Sequence, residues 1–128
     1  MRLLFILPGK GGGGGAHSVV QESRGLGRLG VKVTVATTRN TLASFRENYP
    51  EFDAGELSLV PFTELQDLAT ALAACDVACA TTWASAHTLA SALATSKAKP
   101  KTAYYVQDYE PLFCIPGSQP WTQSRESY

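Results

Sequence analysis

Apolar residues change period several times along the chain. Leu3 to Leu7 form an unbroken apolar run that stops at Pro8 and Gly9, the pattern of a strand buried on both faces of a parallel sheet. From Ala16 to Leu29 the spacing is helical: Val19, Leu26 and Leu29, with small Ser23, Gly27 and Gly30 beside them, mark one stripe, and Gly30 ends the helix. Gly25 and Gly27 each cost about 1 kcal/mol in a helix interior relative to Ala, which predicts that they are kept for close packing on a sheet. Val31 to Ala36 alternates valines with Lys32 and Thr34 as a second strand, and Thr41 to Asn48 is a short helix that stops before Pro50. Leu57 to Phe62 predicts a third strand. Leu65, Leu68, Ala69 and Leu72 then have the spacing of a helix laid on a core, and Asp76 to Ala80 returns to strand. Trp83, Ala86, Ala90 and Leu93 repeat the helical stripe, and Lys101 to Gln107 predicts a fifth strand after a polar turn at Ser96 to Pro100.

Strand and helix alternating at this interval predict an α/β fold, a Rossmann-like doubly wound parallel sheet with right-handed crossovers. Ligands of such sheets bind beyond the carboxyl ends of the strands. Those ends carry Gly9 to His17, Thr37 to Asn40, Thr81 to Trp83 and Gln107 to Glu110. From Pro111 onward, Pro116, Gly117 and Pro120 break the pattern before a helix begins near Trp121, with no further strand to pack it. Either that helix folds back on the sheet, or residues 1–128 are part of a domain whose remainder completes the sheet.

Composition narrows the class. A length of 128 residues fits one domain, and a hydrophobic fraction of 45% is that of an ordinary soluble one. The N-terminal apolar run ends at Pro8, too soon for a secretory core, and nothing approaches the roughly 18 apolar residues of a membrane span. Contact with a bilayer is therefore expected to be peripheral. Cys75, Cys79 and Cys114 are odd in number and form no CxxC pair, which argues against a disulfide framework or zinc knuckle and for a reducing, cytoplasmic setting. Charge is balanced overall but unevenly spread. Residues 1–46 carry Arg2, Lys10, Arg24, Arg28, Lys32, Arg39 and Arg46 against Glu22 alone, seven minus one or +6; residues 47–76 carry seven acids and no base, or −7. Such asymmetry suits an anionic ligand on one face; no nucleic-acid partner is expected.

Gly11 to Gly15, between a strand and a helix, let the backbone approach a ligand while the helix N-terminus offers unpaired N–H groups, a cradle for an anion or a sugar. A disordered loop is the plain alternative. Gly9, Gly11 and Gly14 match GxGxxG, but five consecutive glycines make such a match almost unavoidable. The second strand ends in Thr37, Thr38 and Arg39 where an NAD site wants an acid, so NAD is disfavoured, while Arg39 keeps an NADP-dependent oxidoreductase open. No GK[ST] follows the glycines, which excludes a Walker A loop. His17, at the start of the first helix, can hydrogen-bond a hydroxyl substrate. His87 lies among small residues with no second His one turn on and no HExxH, so it reads as structural and no metal site is expected. Gln107, Asp108 and Glu110 follow the fifth strand beside Tyr109 and Phe113. A carboxylate there can take a proton from an attacking hydroxyl or bind a sugar, and the rings can cover sugar faces; otherwise Asp108 and Glu110 cap a turn. Trp83, at another strand end, is either a stacking platform or core.

The opening RLLFILPGKGGGGGAHSVVQESRGLGRLGVKVTVAT resembles the N-terminal domain of GT-B-fold glycosyltransferases of family 4 type, and YYVQDYEPLFCIPGSQPWTQSRESY resembles the QDYEP-containing segment of rhamnosyltransferase-like bacterial enzymes that build surface polysaccharides. The two segments cover both ends of the chain. The resemblance implies a domain, residues 1–128, that contributes the acceptor side of a cleft, with a C-terminal domain holding the nucleotide-sugar donor. It also implies a saccharide acceptor and no cofactor. The resemblance makes Gly11, Gly12, Gly13, Gly14 and Gly15 a cleft wall with His17 beside them, and Gln107 and Asp108 acceptor-side or catalytic residues, Asp108 being the candidate base; Glu110 and Trp83 are added as substrate contacts by their own chemistry. The donor-binding glutamates of that family lie in its second domain and are absent here, so 1–128 alone is not expected to transfer sugar. A non-catalytic carbohydrate-binding module on the same sheet is the remaining alternative.

Overall fold

The computed structural model describes residues 1–128 throughout. Strands β1 (Arg2–Ile6), β2 (Lys32–Thr38), β3 (Ser58–Phe62), β4 (Val77–Ala80) and β5 (Lys101–Tyr104) form one sheet in the order β3-β2-β1-β4-β5, and every pairing is parallel. Helices α1 (Gly14–Arg28), α2 (Leu42–Asn48), α3 (Leu68–Ala74) and α4 (Trp83–Thr95) connect them, and α5 (Gln119–Glu126) closes the chain. Alternation along β1 sends Leu3, Phe5 and Leu7 against Val19, Val20 and Phe45 of α1 and α2. Leu4 and Ile6 go to the other face, against Leu68, Leu72 and Leu89 of α3 and α4. A central strand covered on both sides has no solvent face, which is why its sequence is continuously apolar. This is a Rossmann-like doubly wound α/β fold. The chain leaves β1 toward one face and β4 toward the other, so their carboxyl ends mark the switch point at which sheets of this kind bind ligands.

Several helix faces differ from the expected ones. In α1 the buried residues are Ala16, Val19, Val20 and Ser23, whereas Leu29 lies past the helix end and is 81% exposed. Ser23 is tolerated inside because its hydroxyl donates to the Val19 carbonyl at 2.7 Å. A Cβ placed on Gly25 or Gly27 meets nothing within 4 Å, so close packing on the sheet is not the reason for either glycine. Gly25→Ala is accordingly expected to stabilise the domain by up to about 1 kcal/mol, seen as a raised urea midpoint at unchanged slope. A lowered midpoint would reveal a contact at that site.

Leu65 belongs to a 3-10 turn and is exposed, as is Ala69, leaving Leu68 and Leu72 as the buried pair of α3. The cause is local. The Asp67 carboxylate accepts the N–H groups of Thr63 at 2.8 Å and Glu64 at 3.0 Å, which delays the α-helix to Leu68 and holds the Asp67 carboxyl below its usual range. In α4 the buried face is Ser85, Leu89 and Ala92 and not the stripe through Ala90, which is exposed. Ser85 turns inward because its hydroxyl accepts from Thr81 N–H at 2.8 Å and Thr82 N–H at 2.9 Å. A 3-10 turn, Arg39–Thr41, precedes α2. Strand β5 stops at Tyr104 instead of Gln107, because β4 ends at Ala80 and the last bond available is Tyr105 N–H to the Ala80 carbonyl at 2.8 Å. The tail does fold back, but onto α4: His87 Nε2 lies 2.8 Å from the Gln123 carbonyl. No helix is long and apolar enough to cross a membrane.

At the amino ends of the strands, Asp76 ties β1 to β4. Its carboxylate takes the Arg2 backbone N–H at 2.8 Å and the guanidinium at 2.7 Å, and its pKa falls to about 2. A folded-state value below the unfolded value of about 3.9 adds stability above that pH and loses it as pH falls toward 2. The stability difference between the native protein and Asp76→Asn should therefore close as pH drops through this window in urea melts. A difference independent of pH would contradict the pairing.

Candidate functional site

The chain leaving β1 spends Leu7 to Gly13 as a loop before α1 begins at Gly14. The five glycines divide into two kinds. Gly11 lies against the α2 backbone, where a Cβ would come 2.8 Å from the Ser44 carbonyl oxygen and 3.0 Å from Phe45 Cα. Gly12 has φ +88° and donates its N–H to the Tyr49 hydroxyl at 3.1 Å. Gly13 and Gly14 face open space, and Gly15 faces the Gln107 side chain. Gly13 is the N-cap of α1 with no side chain to offer, and the first turn holds no acid. The opening N–H groups of α1 thus stand at the switch point without a capping side chain, the arrangement that receives an anion or a hydroxyl oxygen. His17 is exposed on this turn, its ring 6.5 Å from that of buried Tyr49.

The segment after β5 reaches the same end of the molecule. A Cβ on Gly15 would sit 3.2 Å from Gln107 Oε1, so the glycine loop and the acidic segment adjoin. Asp108 is exposed; its Oδ1 accepts the Tyr109 N–H at 2.8 Å, and Oδ2 has no protein partner. The Tyr128 hydroxyl holds this turn from behind, donating to the Asp108 carbonyl at 2.6 Å and accepting the Glu110 N–H at 3.0 Å. Its ring stacks on Tyr104 at 5.5 Å and leans on Tyr109 at 5.2 Å.

Glu110 is committed inward. Its Oε1 accepts the Trp83 N–H at 2.7 Å and the Tyr104 hydroxyl at 2.9 Å, placing a carboxylate at the N-terminus of α4, where the helix dipole favours it. Burial, aided by the Glu110 charge, pushes the Tyr104 phenol well above its usual range, so it stays a donor. The same contact ties the Thr81–Trp83 loop to the acidic turn. Trp83 is half-buried with its ring edge-on to His87 at 6.1 Å, and His87 serves the α4–α5 contact. Arg39 is exposed at the end of β2, where its Nε lies 3.4 Å from Thr63 Oγ1, and it makes no contact with the glycine loop. No three His, Cys, Asp or Glu side chains converge anywhere in the chain.

The largest cavity, about 790 Å³, lies elsewhere, around the amino ends of β1, β2 and β3. Of the cations lining it, Arg2 and Arg24 are already bound to Asp76 and Glu51. The carboxyl-end site, with the uncapped start of α1 beside the Gln107 amide and the Asp108 carboxylate next in sequence, is the better-equipped one. Sequence patterning does not reveal two of its supports, Tyr49 and Tyr128, because each acts across the fold on a residue remote in sequence.

No family model matches the chain, and no curated protein matches it significantly. Fold and site together define a Rossmann-like α/β domain with a backbone-donor cradle beside an acidic, tyrosine-rich turn.

Proposed function

We propose that the chain is the acceptor-side half of a nucleotide-sugar-dependent glycosyltransferase of GT-B type. Its carboxyl-end site holds a saccharide acceptor hydroxyl against a donor carried by a second Rossmann-like half. The observation that carries the reading is the adjacency of Gly15 and Gln107, with Asp108 next in sequence. It supports a reading in which the uncapped N–H groups of α1, suited to phosphate or sugar oxygens, work with the Gln107 amide and the carboxylate one residue on. In this reading Asp108 accepts or orients the proton of the acceptor hydroxyl, Gln107 and His17 bond neighbouring hydroxyls, and the rings of Trp83 and Tyr109 offer apolar faces to the sugar. Glu110 acts by holding the turn and the α4 N-terminus together.

An NADP-dependent oxidoreductase makes a different demand. It needs a tight glycine turn directly after β1 and a cation beside it; here the loop runs from Leu7 to Gly13, and Arg39 contacts Thr63. Calorimetric titration of the chain with NADPH and with oligosaccharides of bacterial surface polymers separates the two. Saturable saccharide binding that Gln107→Ala weakens, with no NADPH binding, is the expected result. NADPH binding lost on Arg39→Ala overturns the transferase reading, and saccharide binding without transfer by the full-length gene product assigns a binding module instead.

A further inference from the structure

The two edges of the sheet are finished differently. In a parallel strand the N–H and C=O of one residue point to the same neighbour, and those of the next residue point away. Lys32 N–H bonds the Met1 carbonyl and the Ala36 carbonyl takes the Leu7 N–H, so even-numbered residues of β2 face β1 and odd-numbered ones face β3. With Thr37 in register with Pro61, Pro61 then points outward from β3, where it has no N–H to offer. That edge is blunted against pairing. At the other edge, Lys101 N–H bonds the Asp76 carbonyl and Tyr105 N–H the Ala80 carbonyl, so Thr102, Tyr104 and Val106 turn their N–H and C=O groups to solvent. Lys101, Thr102 and Ala103 are exposed, Val106 is 55% exposed, and neither a proline nor an acid interrupts residues 101–107.

The open edge is complementary to its own copy turned around. Residues 77–107 hold Lys97, Lys99 and Lys101 and no acid, whereas Asp108 and Glu110 follow the strand directly. Strand β5 is thus basic at its start and acidic just past its end. Neither the three lysines nor Asp108 enter an ion pair within the chain. We infer that β5 is a dimer interface: a second copy of the chain lays its own β5 antiparallel along this edge about a two-fold axis, joining two five-stranded sheets into one of ten strands. Antiparallel pairing sets the basic start of each strand against the acidic end of the other, and opposite charges facing across strands are favourable.

The register follows from the bonds already made. Residues directly opposite in an antiparallel pair both point at each other or both away. With the axis at Tyr104, Thr102 faces Val106 of the second copy, Tyr104 faces its counterpart, and each of these pairs exchanges two N–H···O bonds. An axis at Ala103 would set Val106 against Pro100, which has no N–H, and an axis at Tyr105 would require the Asp108 carbonyl, which the Tyr128 hydroxyl occupies at 2.6 Å. The Tyr104 axis brings the second copy's Lys101 opposite Gln107, one residue from Asp108, and symmetry repeats the contact. Each acidic turn gains a cation that the single chain does not supply. The inference goes beyond the transferase reading and does not rest on it.

Sedimentation equilibrium of the chain over a concentration series, at low and high salt, tests the association, and amide exchange followed by NMR locates it. A dimer that salt weakens is expected. The Thr102, Tyr104 and Val106 amides should exchange more slowly as concentration rises, while those of Lys101 and Tyr105, already bonded to β4, change no more than the rest of the sheet. Thr102→Pro copies the device of Pro61 and spares every bond to β4, so it should leave the chain monomeric. Lys101→Glu and Asp108→Lys should each raise the dissociation constant about tenfold. The two together should restore it, which damage to the fold would not do. A monomer at every concentration, which leaves the edge to a strand of another sequence, a dimer in which the three amides exchange freely, or charge variants without mutual rescue each overturns the inference.

Discussion

Gly11→Val is expected to destabilise the domain by about 3 kcal/mol and to lower its melting temperature by roughly 10 °C. The first atom added would lie 2.8 Å from the Ser44 carbonyl oxygen and 3.0 Å from Phe45 Cα. Both belong to the backbone of α2, so no side-chain rotation can clear the contact. Relief requires the loop to lift from α2, which breaks the bond from Gly12 N–H to Tyr49 and disturbs Phe45 and Tyr49, both in the core. Gly14→Ala is the matched control. Nothing lies within 4 Å of that position, so stability should stay within about 0.5 kcal/mol. A ligand that approaches the open glycines would still be affected there. Native-like melting of Gly11→Val in calorimetry would show that the loop does not rest on α2.

The division between legible and illegible features has a physical basis. Leu3 to Leu7 announces itself because both faces of β1 are covered and the run is continuously apolar, and Val31 to Ala36 because its valines alternate with Lys32 and Thr34. The sequence of helix α4, WASAHTLASALAT, is small or apolar nearly all round and so marks no single inward face. Its inward face is chosen by the Ser85 hydroxyl meeting two backbone N–H groups, an interaction that periodicity does not register. Leu65 has the spacing of a helix whose start Asp67 delays by three residues. In the site, the glycine run and the QDYE segment stand out by composition and lie at the carboxyl ends that the strand alternation marks. Their adjacency depends on sheet order, since β1 and β5 are neighbours only through β4. The split of Gly11 to Gly15 into packed and open positions depends on where α2 lies. Tyr49 contributes one hydroxyl contact spanning 37 residues and Tyr128 two, spanning 20 and 18, for which no local spacing exists.

Asp108→Asn is expected to separate chemistry from folding. The substitution preserves shape and leaves an oxygen to accept the Tyr109 N–H, while the Tyr128 bridge uses only main-chain atoms of Asp108 and Glu110. The turn should hold, with stability changed by less than about 1 kcal/mol, as for an exposed side chain outside the core. The ability to take a proton is lost. Under the transferase reading, turnover of the full-length enzyme should fall by about 10²–10⁴ if Asp108 is the general base, with the acceptor KM little changed. A raised KM at preserved kcat would make Asp108 a binding group instead, and unchanged kinetics would remove it from the site. Tyr128→Phe supplies the contrast. It keeps the stacked ring but removes the hydroxyl from the Asp108 carbonyl and the Glu110 N–H, so the Glu110 amide should exchange faster with solvent. If that exchange rises while turnover stays intact, the turn need not be held rigid for Asp108 to work. If both change together, the carboxylate acts only where Tyr128 places it.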